Sequence, residues 1–239
     1  MSSLWSTVKE NLSFVAVCLV IVAALALLAR LFEGFLPEKR RITPARRITI
    51  IAMSAAIAAV LHIIDFPLPF LAPEFYKVDF SELPVLLGGF FLGPSAGIAI
   101  EGLKILIKLL IKGTTTAFVG DFANFVVGCS LVLPATAIYF TGKTQKRAIF
   151  GLVVGTVTMT VFGSAFNAVY LLPKFAQLFG MPLDAIVAMG NAINSGITSV
   201  SALVLFAVAP LNLIKASVVS VLTVLLYKRI ARPIFGKMA

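Results

Sequence analysis

Apolar runs long enough to span a lipid bilayer recur along this chain, and they restrict its possible folds more than any other feature. Of its 239 residues, 60% are hydrophobic and only 13% are charged. The mean hydropathy of +1.05 excludes an ordinary soluble domain. The sequence therefore predicts an all-α fold, a polytopic helical bundle in a membrane.

The distribution of positive charge predicts which side of the membrane each segment faces. The chain has 20 Lys and Arg against 10 Asp and Glu, and much of the excess lies in short segments beside apolar runs. Basic loops stay in the cytoplasm, so residues 37–47, residues 142–147 and the C-terminus are predicted to be cytoplasmic, with the N-terminus outside. This explanation of the charge needs no nucleic acid as a partner.

The apolar runs divide the chain into four parts. Residues 1–36 contain an extra N-terminal transmembrane helix over 12–29, and residues 37–47 are a basic cytoplasmic linker. Residues 48–232 form a six-helix core, and residues 233–239 are a cytoplasmic tail. The run at 12–29 lacks the basic segment of a signal peptide, so we expect a retained helix. We expect this helix to be peripheral, because the six-helix core already accounts for the binding pocket.

The last part of the core is predicted from the same charge rule. If residues 197–208 crossed the membrane, the basic C-terminus would lie outside. We therefore expect residues 174–209 to fold over the outer end of the bundle. The final helix is then expected over 211–228, with Pro210 in its first turn, where a missing N–H costs little.

A proline-rich loop separates the first two apolar runs of the core. Four of the twelve prolines lie in residues 66–84, and proline stiffens the chain and disfavours helix before it. A stiff polar loop over an apolar bundle suits the wall or lid of a binding site, although it could also be an ordinary connector. Its charged residues are Glu74, Lys77, Asp79 and Glu82.

Several polar residues are predicted to lie near the outer surface, on this loop and on three helices. Polar groups at membrane depth are costly, so they usually face a cavity or one another. Their convergence predicts a binding pocket, with ligand-free hydrogen bonds between helices as the alternative. The residues are Lys77, Asp79, Asp121, Asn124, Asn167, Asn212 and Lys215.

Catalysis is not predicted. The chain has no G-x-S-x-G, H-E-x-x-H or ATP-binding motif, and its one histidine, His62, stands alone at the end of a helix. Lys104 is expected to pair with Glu101, three residues earlier on the same helix face. Cys18 and Cys129 lie within apolar runs, where packing explains them better than a metal site. No cofactor or metal is expected.

Four stretches carry a resemblance to a known family. Residues 66–97, FPLPFLAPEFYKVDFSELPVLLGGFFLGPSAG, resemble the first loop of the riboflavin-binding S components of energy-coupling factor (ECF) vitamin transporters. GDFANF at 120–125, FNAVYLLP at 166–173 and APLNLIK at 209–215 are similar as well, and they come in the expected order. The resemblance covers about residues 46–232.

The resemblance implies a riboflavin site. It assigns the polar edge of the isoalloxazine ring to Asn167, Asn212 and Lys215, since an amide offers a donor and an acceptor to the flavin imide. It gives the ribityl hydroxyls to side chains of the loop and of the helix that follows GTTTAFVG, namely Lys77, Asp79 and Asn124. Asp121 stands where relatives are expected to have glutamate, so its role is open.

The resemblance also implies partners in a bacterial cell membrane. An S component works with a transmembrane coupling protein (EcfT) and two ATPases (EcfA and EcfA′). The docking surface would be the A-x-x-x-A pair Ala52 and Ala56, although Ala55 and Ala59 fit the spacing equally well. An S component for another vitamin and a structural membrane protein without transport are the alternatives.

Overall fold

Residues 12–35 and 42–235 are described by the computed structural model of the chain, so the predicted linker 37–47 and tail 233–239 lie partly outside them. The described residues form an all-α bundle with one very short pair of strands. The helices are α1 (Leu12–Gly34), α2 (Pro44–Ile63), α3 (Glu82–Leu92), α4 (Pro94–Lys112), α5 (Val119–Phe140), α6 (Gln145–Phe166), α7 (Leu172–Phe179), α8 (Leu183–Asn191), α9 (Val200–Leu203) and α10 (Ala209–Phe235).

Four helices of the described part are long and apolar enough to cross a membrane, which agrees with the predicted multi-pass class. Helix α4 is not one of these four, because it carries Glu101, Lys104, Lys108 and Lys112. Helix α3 (Glu82–Leu92) is apolar but too short to be counted. The predicted count of six core helices and one extra helix stays a prediction. The four spans are Pro44–Ile63, Val119–Phe140, Gln145–Phe179 and Val200–Tyr227.

Two of these spans contain a π turn, a widened turn common at functional sites. One, Asn167–Leu171, joins α6 to α7, and the other, Val204–Val208, joins α9 to α10. The final helix therefore begins at Val200, so the prediction of a helix start next to Pro210 was wrong. Pro210 lies inside the continuous helix, directly after a π turn whose irregular bonding tolerates a residue without an N–H.

The extra helix α1 is attached to the core by more than apolar contacts. Its buried Ala29 packs with Ile98 of α4 and Cys129 of α5. The Glu33 carboxylate accepts hydrogen bonds from the backbone N of Ser95, at 2.8 Å, and from its Oγ, at 2.7 Å. Glu33 thus caps the first turn of α4, where the N-cap residue, Gly93, has no side chain to do so.

The two alanine pairs of α2 have different environments. Ala55 and Ala59 are completely buried in the bundle, whereas Ala52 and Ala56 are exposed. Only the exposed pair is therefore accessible to another protein. We call the surface around it the exposed face of α2; its other members are Ile48, Met53, Ile57 and Val60.

Candidate ligand-binding site

A cavity of about 370 Å³ lies at the end of the bundle where α2 ends and α3 begins. This volume falls within the range of small-molecule sites. Its walls come from the loop of residues 64–81, from α5 and α7, and from the segments around the two π turns. All six residues predicted to bind ligand line it: Lys77, Asp79, Asn124, Asn167, Asn212 and Lys215. Their roles in binding stay predictions.

The loop is held against the helices by a tyrosine. Within the loop, strands β1 (Phe66–Pro67) and β2 (Lys77–Val78) pair antiparallel. The next contact reaches the π turn that follows α6: the Tyr76 hydroxyl donates to Asn167 Oδ1 at 2.9 Å. Burial raises the pKa of the Tyr76 phenol far above its ordinary value, so the hydroxyl stays protonated and able to donate.

The two asparagines meet at a glycine of α6. Asn167 Nδ2 donates to the carbonyl oxygen of Gly163 at 2.9 Å. A Cβ at Gly163 would lie 2.8 Å from Asn212 Nδ2, so the missing side chain makes room for the second amide. Within the described residues, Asn212 Nδ2 has no hydrogen-bond partner although it is buried. The asparagines are therefore neighbours, and one keeps an unused donor.

Asp79 joins the loop to two helices. Its Oδ1 accepts from the backbone N of Ser81 at 2.8 Å, and its Oδ2 lies 3.2 Å from both Lys215 Nζ and His62 Nδ1. Burial opposes its ionisation, but the charge of Lys215 and the hydrogen bond from His62 outweigh this and hold the Asp79 pKa well below its ordinary value. Asp79 is thus a carboxylate whose oxygens already have protein partners.

At the wall of the cavity, two lysines and two carboxylates alternate, and all of them except Lys104 line it. Lys215 Nζ lies 3.0 Å from Glu82 Oε1 as well as 3.2 Å from Asp79. The same Glu82 oxygen is 3.4 Å from Lys104 Nζ. We call Asp79, Lys215, Glu82 and Lys104 the charge chain.

Lys104 extends this network to α5. Its Nζ donates to Asn124 Oδ1 at 3.3 Å and lies 2.5 Å from Glu101, the partner expected from their spacing. The amide oxygen of Asn124 is therefore occupied, and its amide N–H groups remain available as donors.

The mouth of the cavity carries more ion pairs. Asp65 lies 3.2 Å from Lys77 and 3.3 Å from Lys112, and Asp121 lies 2.5 Å from Lys108. Four lysines and four carboxylates line the cavity, so its formal charges nearly cancel. The arrangement suits an uncharged ligand with several hydrogen-bonding groups, and apolar walls are available to a ring system. These apolar residues are Phe75, Val127, Met159, Leu171, Phe175, Phe179 and Leu211.

Three cavity residues were missed in the predicted site. The prediction that His62 stands alone was wrong, because it contacts Asp79 across 17 residues of sequence. Tyr76 and Glu82 meet partners 91 and 133 residues away. The only sequence signal was their position in or beside the proline-rich loop. The described residues contain no group of His, Cys, Asp or Glu able to hold a metal ion.

The sequence of this chain is similar to those of known membrane transporters. The family model for the substrate-specific component of ECF transporters matches residues 46–227. The chain is 37% identical over 186 residues to "Riboflavin transporter RibU" of Staphylococcus aureus (strain TCH60), covering 78% of this chain and 90% of that protein. It is 31% identical over 183 residues to "Riboflavin transporter FmnP" of Bacillus subtilis (strain 168), covering 76% and 90%.

A solved structure is also similar. It is described as the S component of a bacterial ECF transporter, with 38% sequence identity and a TM-score of 0.62. The match covers 79% of this chain and 97% of that one. The matched segment in the family model includes every residue of the cavity, whereas α1 lies before it.

Proposed function

Because the chain belongs to the family of ECF transporter substrate-specific components, we propose that it binds riboflavin and delivers it for uptake. The observation that carries the proposal is the cavity, in which six polar residues from the loop, α5, the α6–α7 junction and α10 converge. The relatives named riboflavin transporters are similar to this chain over 186 and 183 residues. A substrate-binding subunit of this kind is not an enzyme and needs no cofactor.

The chemistry of the cavity supports riboflavin as the ligand. The flavin imide donates once and accepts twice, and Asn167, Asn212 and Lys215 together offer suitable amide and ammonium groups. The ribityl hydroxyls would form hydrogen bonds with Lys77 and Asn124 and would lie close to Asp79. Rings from the loop and α7 would contact the faces of the isoalloxazine, with Phe75 5.9 Å from Phe175 in a T-shaped arrangement.

The orientation in the membrane follows from charge. Basic residues are concentrated at the end of the bundle opposite the cavity, among them Arg46, Arg47, Lys146 and Arg147. The positive-inside rule puts that end in the cytoplasm and the cavity outside. The N-terminus would then be outside and the C-terminus cytoplasmic. Cysteine labelling of intact cells tests this: label at position 177 but not at 145 is expected, and the reverse pattern would contradict it.

Delivery requires partners, because the chain contains no ATP-binding motif. We propose that the exposed face of α2 docks on the transmembrane coupling protein EcfT, which works with the ATPases EcfA and EcfA′. Ala52 and Ala56 would let the two helices approach closely, as small residues do in lipid.

The purified chain itself tests the proposed ligand. We expect it to be yellow, to release riboflavin on denaturation as identified by mass spectrometry, and to quench riboflavin fluorescence on titration. Thiamine and biotin, added as competitors, should leave the quenching unchanged. A different vitamin in the mass spectrum, with no response to riboflavin, would assign the chain to another ligand.

A further inference from the structure

We propose that Glu82 is a positioning residue for riboflavin binding, whose carboxylate contacts two buried lysines and directs Lys215 toward the cavity. This inference rests on the proposed function. Glu82 is the first residue of α3 and is only 1% exposed. Its Oε1 lies 3.0 Å from Lys215 Nζ and 3.4 Å from Lys104 Nζ, so one oxygen joins two cations that belong to different helices.

On one side of the bridge, Glu82 restricts the direction of Lys215. An ammonium group has three N–H donors. Two are used by Glu82, at 3.0 Å, and by Asp79, at 3.2 Å. These two bonds fix where the third donor points. Since Lys215 lines the cavity, that donor is the one a ligand carbonyl can accept. Without Glu82 the ammonium would be tied to Asp79 alone and could rotate.

On the other side of the bridge, Glu82 is the most distant of the four contacts that the structure describes for Lys104 Nζ, after Glu101 at 2.5 Å, Ser81 at 2.9 Å and Asn124 at 3.3 Å. Lys104 therefore depends on Glu82 less than Lys215 does. Lys104 is completely buried and is not among the residues that line the cavity. It donates to Asn124 Oδ1 at 3.3 Å, and Asn124 does line the cavity. This bond occupies the amide oxygen and leaves the N–H donors of Asn124 for a ligand hydroxyl.

The network makes it possible to separate positioning from folding. In Glu82→Gln, Lys215 keeps Asp79 at 3.2 Å and Lys104 keeps Glu101 at 2.5 Å. Neither ammonium is left without a carboxylate, so the large penalty for a stranded buried charge does not arise. The side chain also keeps its length and one oxygen acceptor. We therefore expect a folded variant in which only the bridge is weakened.

A double-mutant cycle on the purified full chain tests the proposal. The four proteins are the wild type, Glu82→Gln, Lys215→Met and the double variant, each titrated with riboflavin by fluorescence quenching. If Glu82 acts through Lys215, we expect Glu82→Gln to weaken binding about tenfold in the wild type but about twofold or less when Lys215 is already Met. A merely structural role would give the same loss in both backgrounds.

Glu101→Gln is the matched control. Glu101 is as buried as Glu82 and also pairs with Lys104, which is its ion-pair partner among the described residues. Glu101→Gln should weaken riboflavin binding by the same factor in the wild type and in Lys215→Met, which means that the two changes are not coupled. Glu82→Asp serves as a second variant, since it keeps the charge but is too short to bridge both lysines. It too should lose affinity in a way that depends on Lys215.

The outcomes distinguish this inference from the function on which it rests. Coupling for Glu82 without coupling for Glu101 supports the positioning role. Additive losses for both Glu82 variants, or wild-type affinity in both, overturn the inference and leave riboflavin binding standing. A wild-type chain that binds no riboflavin overturns the proposed function and this inference with it.

Discussion

The cavity and the exposed face of α2 lie close to each other near the end of α2, but only the cavity contains charged and amide side chains. The cavity is lined by charged and amide side chains that other protein groups hold in place, as His62 and Lys215 hold Asp79. The exposed face, between Ile48 and Val60, carries no charged residue. In a membrane, buried polar groups are the costly feature that marks a ligand site, and small apolar groups favour helix association. We therefore expect changes in the cavity to affect binding and changes on the face to affect transport alone.

Loss of Lys215 should have the largest effect. Lys215→Ala removes a cation shared by Asp79 and Glu82. Loss of the ammonium donor proposed for the flavin carbonyl should lower riboflavin affinity by about 100-fold. Breaking the buried ion pairs should also cost about 3–5 kcal/mol of folding stability. Lys146→Ala, an exposed position at the opposite end of the bundle, should bind like the wild type. Equal affinities for the two variants in a fluorescence titration would contradict the assignment of Lys215.

Removal of either asparagine should have the next largest effect. Asn167→Ala takes the partner of the Tyr76 hydroxyl, and Asn212→Ala takes the amide beside Gly163. Each variant also leaves a flavin imide group without its proposed amide partner, and an unpaired buried group costs about 1–3 kcal/mol, or about 5- to 150-fold in affinity. The same titration measures both. If both variants kept wild-type affinity with an intact fold, the ligand would have to lie elsewhere.

The two alanine pairs of α2 separate binding from transport. Ala52→Leu and Ala56→Leu change an exposed surface, so riboflavin affinity and melting temperature should stay at wild-type values while uptake by cells with the ECF module falls several-fold. Ala55→Leu and Ala59→Leu overfill the core, which costs about 1–3 kcal/mol of stability. Normal uptake by the Ala52 and Ala56 variants would rule out docking through this face.

Removal of residues 1–36 should also change riboflavin binding very little. No described residue of α1 lines the cavity, so riboflavin affinity should change by about twofold or less. Loss of the Glu33 cap on α4 should still lower the stability, since helix caps contribute about 0.5–2 kcal/mol. Glu33→Gln should reproduce part of the drop in melting temperature. A large loss of affinity in the correctly inserted truncated chain would make α1 part of the site.

Hydropathy was sufficient to predict the class of fold and the approximate position of most helices, because apolar runs that can span a bilayer leave a strong pattern in the sequence. Pro210 misled the prediction of the last helix because a π turn lets the helix continue past it. The spacing of alanines could not distinguish Ala52 from Ala55, since the rotation of a helix about its axis depends on its neighbours. The partners of His62 and Glu82 could not be predicted, because they meet only through tertiary packing.

Tyr76 and Asp79 fasten the loop of residues 64–81 to three different helices, through Asn167, His62 and Lys215. Any displacement of the loop that widens the cavity must break some of these bonds first, and such a step slows both the entry and the escape of a ligand. The consequence concerns the residence time of the ligand. A ligand bound behind this loop would therefore exchange slowly with the solution, at a rate set by how often these bonds open.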